Sequence, residues 1–108
     1  MANVLLLGLD SALADDLSRV LRHLGHAVTV STRREASPDA ANADLVFTDS
    51  HELDTALALS PRLPVIVTSR LPEVTAWLNA LEAGAADYCG APFEPTQVGW
   101  VLATALAA

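Results

Sequence analysis

The chain has little cysteine, few basic residues, few aromatic residues and no long hydrophobic run. Of its 108 residues one is cysteine, 5% are aromatic, and 6 are Lys or Arg against 13 Asp or Glu. A single cysteine excludes an internal disulfide framework and a thiolate metal cluster within one chain. Cys89 lies in an apolar segment, so we expect it to be a small buried side chain.

The same scarcities limit where the chain works and what it binds. No apolar run approaches about 18 residues, and no basic segment leads into an apolar stretch at the N-terminus, so we expect no membrane span, no secretory signal and a cytoplasmic location. The net charge of -7 repels a phosphate backbone, so we expect no direct contact with nucleic acid. Hydrophobic residues make up 52% of the chain, which predicts a buried core in one domain over residues 1–108.

Apolar runs of strand length alternate with helical segments. The predicted strands cover residues 4–9, 27–30, 44–48, 63–68 and 86–89. The first helix is capped by Asp10 or Ser11 and ends at Gly25. The later helices cover residues 51–59, 72–84 and 95–106.

This alternation predicts an α/β fold, in which a five-stranded parallel sheet carries helices on both faces. The connections over residues 31–42 and 50–61 are short. In such sheets the binding crevice lies at the carboxyl ends of the strands. The residues predicted there are Gly8, Leu9, Asp10, Asp49, Ser50, Ser69, Arg70, Gly90, Ala91 and Pro92.

Four segments carry a resemblance to a known family. They are Val4-Leu5-Leu6-Leu7-Gly8-Leu9-Asp10, Asp44-Leu45-Val46-Phe47-Thr48-Asp49, Pro64-Val65-Ile66-Val67-Thr68-Ser69 and Ala83-Gly84-Ala85-Ala86-Asp87-Tyr88-Cys89-Gly90-Ala91-Pro92-Phe93. Together they resemble the receiver domains of response regulators. The resemblance implies a flavodoxin-like strand order 2-1-3-4-5 and a cis peptide bond before Pro92. It also implies Asp49 as the phosphoacceptor equivalent, Ser69 as the hydroxyl that contacts the phosphoryl group, and Tyr88 as the aromatic switch.

The chain departs from the family at the metal and lysine positions. Ala91 stands where the family has lysine, and Gly8 and Leu9 stand at its acidic pair, with Asp10 one position later. A one-residue slip would place Asp10 at the second acidic position and still leave the first without a carboxylate. Each unit-charge pair at about 4 Å is worth on the order of 4 kcal/mol at an effective dielectric near 20, so Mg²⁺ binding should be weak or absent. We therefore expect a non-enzymatic pseudo-receiver without a cofactor, whose Asp49 is not phosphorylated by the usual route.

The last helix suggests a contact surface. We expect Val98, Leu102 and Leu106 to face the core and leave Trp100 and Val101 toward solvent. The resemblance implies that this helix, the helix carrying Trp77 and the strand carrying Tyr88 form a surface for dimerisation and output. The partner would then be a second copy, another protein or an output domain. The alternative is that both tryptophan rings pack against their own helices.

Other interpretations stay open from the residues alone. Asp49 also fits a strand-end carboxylate that accepts backbone hydrogen bonds, and Asp10 and Ser69 fit helix caps. A phosphorylatable receiver could use Asp49 with an unusual metal arrangement, and a small-ligand module could have a pocket over Gly8 and Ser69. A hydrolase built on Ser50, His51 and Asp54 is disfavoured, because triad members must converge in space with defined hydrogen bonds.

Overall fold

Among the residues that the structure describes, five strands and four helices follow one another in an α/β arrangement. The computed structural model describes residues 2–31, 42–49, 51–59, 62–70 and 74–107. Its elements are β1 (Asn3–Leu7), α1 (Ser11–His23), β2 (Ala27–Ser31), β3 (Leu45–Thr48), α2 (Leu53–Leu59), β4 (Val65–Ser69), α3 (Val74–Ala83), β5 (Asp87–Gly90) and α4 (Pro95–Ala107). The strands form one parallel sheet in the order β2-β1-β3-β4-β5. The predicted fold and strand order are confirmed.

Some predicted features differ or fall elsewhere. The first strand was expected to reach Leu9, whereas β1 ends at Leu7 because Gly8 adopts a left-handed φ of 71° and turns the chain. The predicted short connection over residues 31–42 and the start of the helix near Pro72 lie largely outside the described residues. The other short connection holds α2, which has 7 residues, about the two turns expected.

Two apolar layers cover the sheet, because neighbouring residues of a strand point to opposite faces. The first layer joins the sheet to α1 and α4 and includes Leu6, Phe47, Ile66, Leu17 and Leu102. The second joins the other face to α2 and α3 and includes Leu5, Val46, Val67, Leu53 and Ala80. Cys89 is fully buried in the first layer, as predicted, and burial raises the pKa of its thiol to about 11.

Helix α1 begins and ends as its sequence predicts. The Asp10 carboxylate accepts a hydrogen bond from the Leu13 N–H at 2.9 Å and caps the first turn. At the other end Gly25 takes a left-handed φ of 91°, a conformation that costs glycine little. In the described part of the chain, no helix is both long enough and apolar enough to cross a bilayer.

The orientation predicted for α4 is wrong at two positions. Val101 is only 8% exposed and packs with Val98 and Leu102, whereas Leu106 is 40% exposed. A helix of 3.6 residues per turn places a residue three positions after Val98 on the same face, so Val101 belongs to the buried stripe. Ala105 packs against the first layer in place of Leu106.

Candidate functional site

A crevice opens at the carboxyl ends of β1, β3 and β4. Its volume is about 230 Å³, and we call it the Asp49 crevice, lined by Asp10, Leu13, Asp49, His51, Thr68, Ser69 and Arg70. The parallel register brings these strand ends to one edge of the sheet. The structure thus brings together Asp10, Asp49 and Ser69, as the sequence predicted. Ser50 lies outside the described residues, and the roles proposed for these residues stay predictions.

Asp49 follows β3 directly and is half-buried. One oxygen of its carboxylate, Oδ1, accepts a hydrogen bond from the Glu52 N–H at 2.9 Å, and that N–H also lies 3.3 Å from the Asp49 carbonyl oxygen. This is the local backbone bonding that a strand-end carboxylate makes. Asp49 therefore helps to shape the turn into α2 while it lines the crevice.

Arg70 brings a cation into the crevice. Its guanidinium donates a hydrogen bond to Oδ1 of Asp10 at 2.7 Å, and both side chains are about half exposed, at 53% each. The backbone hydrogen bond from Leu13, followed by the contact with Arg70, lowers the pKa of the Asp10 carboxyl. Asp10 is therefore both a helix cap and an ion-pair partner.

The two positions of the missing acidic pair have structural roles. A Cβ at Gly8 would lie 2.7 Å from Cγ of Glu52, and φ at Gly8 is left-handed. The Gly8 N–H donates to the Ser31 carbonyl oxygen at 2.9 Å. Leu9 is 5% exposed and belongs to the first apolar layer. A carboxylate at the first position would displace Glu52, and one at the second would enter the core.

Ala91, at the position of the missing lysine, also has a structural role. Ala91 precedes a cis peptide bond to Pro92, as predicted. The Ala91 N–H donates to the Ser69 carbonyl oxygen at 2.8 Å, and the Ala91 side chain packs against the first apolar layer. Residue 91 is therefore joined through its backbone to Ser69, which lines the crevice, and its side chain is a methyl group without charge.

Three buried hydroxyl groups near the strand ends differ in their partners. Thr48 donates a hydrogen bond to the Leu7 carbonyl oxygen at 2.9 Å. The Thr68 hydroxyl is buried and has no hydrogen-bond partner within the described residues, although Thr68 lines the Asp49 crevice. The Tyr88 hydroxyl is likewise buried without a partner there, and its ring packs against the second layer. Sequence reasoning missed Thr68, because an apolar strand such as β4 gives no signal for an unpaired hydroxyl.

No ready-made cluster of metal ligands surrounds the crevice. Across residues 2–31, 42–49, 51–59, 62–70 and 74–107, no three or more His, Cys, Asp or Glu side chains are grouped so that they could hold a metal ion. The crevice supplies two carboxylates, from Asp10 and Asp49. The first of these is paired with Arg70.

A second surface carries exposed tryptophans. Trp100 is 77% exposed on α4, and Trp77 and Leu78 on α3 are 43% and 51% exposed. Both helices contact β5, the edge strand that carries Tyr88. Trp100 therefore presents most of its side chain to solvent.

No family model matches the chain. It is 36% identical over 101 residues to the transcriptional regulatory protein CreB of Escherichia coli K12, which covers 82% of this chain and 44% of CreB. The chain thus spans less than half the length of that relative.

Solved structures share the fold at lower identity. NtrX from Brucella abortus superposes with a TM-score of 0.81 at 24% identity, over 98% of this chain and 26% of that one. A CheY-like response regulator receiver domain protein from Methanospirillum hungatei JF-1 gives a TM-score of 0.73 at 20% identity, over 99% of this chain and 94% of that one.

Proposed function

This chain belongs to the response-regulator receiver family, and we propose that it signals through protein contact without Mg²⁺-dependent phosphorylation of Asp49. The observation that carries the proposal is the structural use of the missing site positions. Gly8 accommodates Glu52, Leu9 fills the core, and Ala91 packs against the same layer. We further propose that the domain is not an enzyme, needs no cofactor and works in the cytoplasm.

The charges around Asp49 support this proposal. Mg²⁺ prefers near-octahedral oxygen ligands, usually one or two carboxylates with phosphate oxygens and water. Of the two carboxylates that line the crevice, Asp10 is already neutralised by Arg70. The guanidinium also repels a divalent cation that approaches Asp49. The crevice is therefore a poor site for Mg²⁺.

The absence of a lysine at position 91 also supports the proposal that Asp49 is not phosphorylated. Phosphoryl transfer depends on positioning and on neutralising the charge of the transferred group. Ala91 cannot supply a point charge, and Arg70 is engaged by Asp10. An acyl phosphate on Asp49 would lack the cations that stabilise it.

Output then depends on a surface, and we propose the tryptophan face, defined by Trp77, Trp100 and the β5 strand between their helices. Aromatic residues are enriched among the residues that dominate binding energy at protein interfaces. The partner is an output domain, another protein or a second copy of the chain. The relative CreB is named a transcriptional regulator, but the net charge of -7 here disfavours direct contact with nucleic acid.

Incubation with acetyl phosphate and Mg²⁺, followed by intact mass spectrometry, tests the proposal. We expect no phosphoryl adduct beyond that seen with the matched Asp49→Asn variant, which keeps the shape of the site. An adduct that requires Mg²⁺ and is lost in Asp49→Asn would overturn the proposal.

A second candidate, a phosphorylatable receiver with an unusual metal site, is favoured by one contact. The methylene groups of Glu52 lie against Gly8, so an acidic side chain from another segment borders the position of the missing pair. In that case the Mg²⁺-dependent adduct would appear in the wild-type chain and fall in Glu52→Gln. The same assay therefore separates the two candidates.

A further inference from the structure

Strand β2 is an edge of the sheet, and no strand lies beyond it in the described part of the chain. The N–H of Ala27 and the carbonyl oxygen of Ser31, at the two ends of β2, are both hydrogen-bonded toward β1. In a parallel pair, alternate residues turn both their N–H and their C=O toward the neighbouring strand. The N–H and C=O groups of Val28 and Val30 therefore point away from the sheet.

The β2 strand itself lacks the features that commonly prevent another strand from adding to an edge. Protected edges carry charged residues, proline or a bulge. The sequence of β2 is Ala-Val-Thr-Val-Ser, without a charge or a proline. All five of its residues pair with β1 in one continuous register. The edge is therefore a regular template for the backbone hydrogen bonds of an added strand.

A groove of about 570 Å³ runs between α1 and this edge, and we call it the Val30 groove. The residues that line it are Asp15, Ser18, Arg19, Arg22 and Val30. The four helix residues recur every three or four positions and so form one stripe along α1. Val28 packs against the first apolar layer, and Val30, two residues later, lies on the same side of the sheet and is 49% exposed. The groove thus combines an apolar side chain on the strand with a polar wall on the helix.

The Val30 groove is locally positive although the chain is acidic. It contains two guanidinium groups, from Arg19 and Arg22, and one carboxylate, from Asp15. Arg19 has an ion pair with Asp16 at 3.4 Å, an exposed contact of a kind that contributes little. Arg22 forms no ion pair within the described residues. Because a guanidinium binds a carboxylate through two parallel hydrogen bonds, Arg22 fits an acidic side chain.

We propose that the Val30 groove docks an extended segment of a partner protein, which pairs with the β2 edge and presents a carboxylate to Arg22. Backbone hydrogen bonds to Val28 and Val30 supply affinity, and the side chains that enter the groove supply specificity. Residues two apart in a strand share a face, so the segment covers Val30 with an apolar side chain and carries its acidic residue two positions away. The inference goes beyond the proposed function, because the tryptophan face lies at the opposite edge of the sheet.

A second copy of the chain fits the groove less well than a different protein. Pairing of two β2 strands would bring Ala27–Ser31 of one copy to the edge of the other, and this strand has no carboxylate for Arg22. Two chains that each carry a net charge of -7 also repel each other. A segment with a single carboxylate meets much less of this repulsion.

An NMR titration of the full chain with a synthetic peptide, combined with amide hydrogen exchange, tests the proposal. The peptide is N-acetyl-Ser-Val-Thr-Glu-Thr-Val-Ser-amide, whose glutamate has a valine two positions away on either side, so it serves both strand directions. We expect saturable shifts and slower exchange at the amides of Val28 and Val30. The effect should be smaller at Thr29, whose N–H already faces β1.

Two control peptides and three variants separate the parts of the proposal. The peptide with lysine in place of glutamate should bind at least about fivefold more weakly, and the peptide N-methylated at every residue should not bind. Arg22→Glu should weaken binding at least about tenfold. Arg62→Glu makes the same charge change at an exposed arginine outside the groove and should stay within about twofold of the wild type. Trp100→Ala should bind as the wild type does.

Four results would overturn the proposal. They are the absence of saturable binding, equal binding of the N-methylated peptide, equal effects of Arg22→Glu and Arg62→Glu, and slower exchange at Val28 and Val30 as the concentration of the chain alone rises. In the last case a second copy of the chain would occupy the β2 edge.

Discussion

The guanidinium of Arg70 lies 2.7 Å from the carboxylate of Asp10, although the two residues are 60 positions apart in the chain. The contact joins the residue after β4 to the cap of α1. It places a fixed positive charge at the edge of the Asp49 crevice. The electrostatic character of the site therefore depends on this pair as much as on Asp49.

The pair and the cap make stability depend on pH at the acidic end. The pKa of the Asp10 carboxyl is lowered, first by the Leu13 N–H and then by Arg70. The carboxylate therefore stabilises the fold at pH values above its unfolded pKa of about 3.9. This stabilisation is lost as the pH falls through the lower pKa of the folded state. The wild-type chain should be more stable than Asp10→Asn near neutral pH, and the gap should narrow below about pH 4. Urea unfolding of both chains between neutral pH and about pH 3 measures this difference in the free energy of unfolding.

Arg70→Gln is the matched control, because it keeps the cap and removes only the guanidinium. Its free energy of unfolding should still fall on acidification, because the Leu13 hydrogen bond, the largest single cause of the lowered pKa of Asp10, remains. A gap between the wild type and Asp10→Asn that does not change with pH would contradict this account.

The two buried threonines should respond oppositely to the same substitution. Thr48→Val removes a hydroxyl bonded to Leu7 and should cost about 1 kcal/mol of the free energy of unfolding. Thr68→Val removes a hydroxyl without a partner in the described residues and should leave stability equal or up to about 1 kcal/mol higher. Chemical denaturation of the two variants tests this, and the reverse order of stabilities would show that the Thr68 hydroxyl has a hydrogen-bond partner.

Cys89 should be inert in the folded chain. Burial raises the pKa of its thiol to about 11 from 9.0, so the thiolate that reacts with disulfide reagents is scarce near neutral pH. We expect modification by Ellman's reagent to be slow in native buffer and fast in urea. Rapid labelling of the native chain would place the thiol at the surface.

The same shift makes Cys89 sensitive to alkaline pH. A raised folded pKa contributes stability that is present below about pH 9 and declines as the pH rises to about 11. Cys89→Ala should remove this decline, so the stability difference between the two chains should change over that interval. A constant difference would argue against the buried thiol as its cause.

The tryptophan face should control association. Trp100→Ala should weaken self-association or partner binding at least about tenfold and change the free energy of unfolding by no more than about 0.5 kcal/mol, because the side chain is 77% exposed. Val30→Ala is the control, since Val30 is 49% exposed on β2, at the opposite edge of the sheet. Sedimentation velocity over a concentration series measures dimerisation, and a wild-type chain that stays monomeric at millimolar concentration would contradict a homodimer.

Most of the fold could be predicted from the sequence, because strand-length apolar runs and helix signals are local. Gly25 and Gly84 end helices where expected, with φ values of 91° and 117°. Val101 was wrongly predicted to face solvent. The 3.6-residue period of a helix places it on the buried face, because it lies three positions after Val98 and next to Leu102. The error came from extending the buried stripe to Leu106.

The site was less predictable, because its contacts join distant segments. The resemblance indicated Asp49, Ser69 and the lost positions. It gave no sign that Arg70 would meet Asp10 or that Glu52 would lie against Gly8. The unpaired Thr68 hydroxyl also depends on three-dimensional packing and could not be read from an apolar strand.

The most direct test of the central claim is an NMR titration of the chain with Mg²⁺, with and without beryllofluoride, that follows the amides of Asp49 and Ser69. The account predicts no saturating shift at either residue, because one crevice carboxylate is neutralised by Arg70 and the positions of the missing acids serve the fold. A saturable, Mg²⁺-dependent shift at Asp49 that Asp49→Asn abolishes would contradict it.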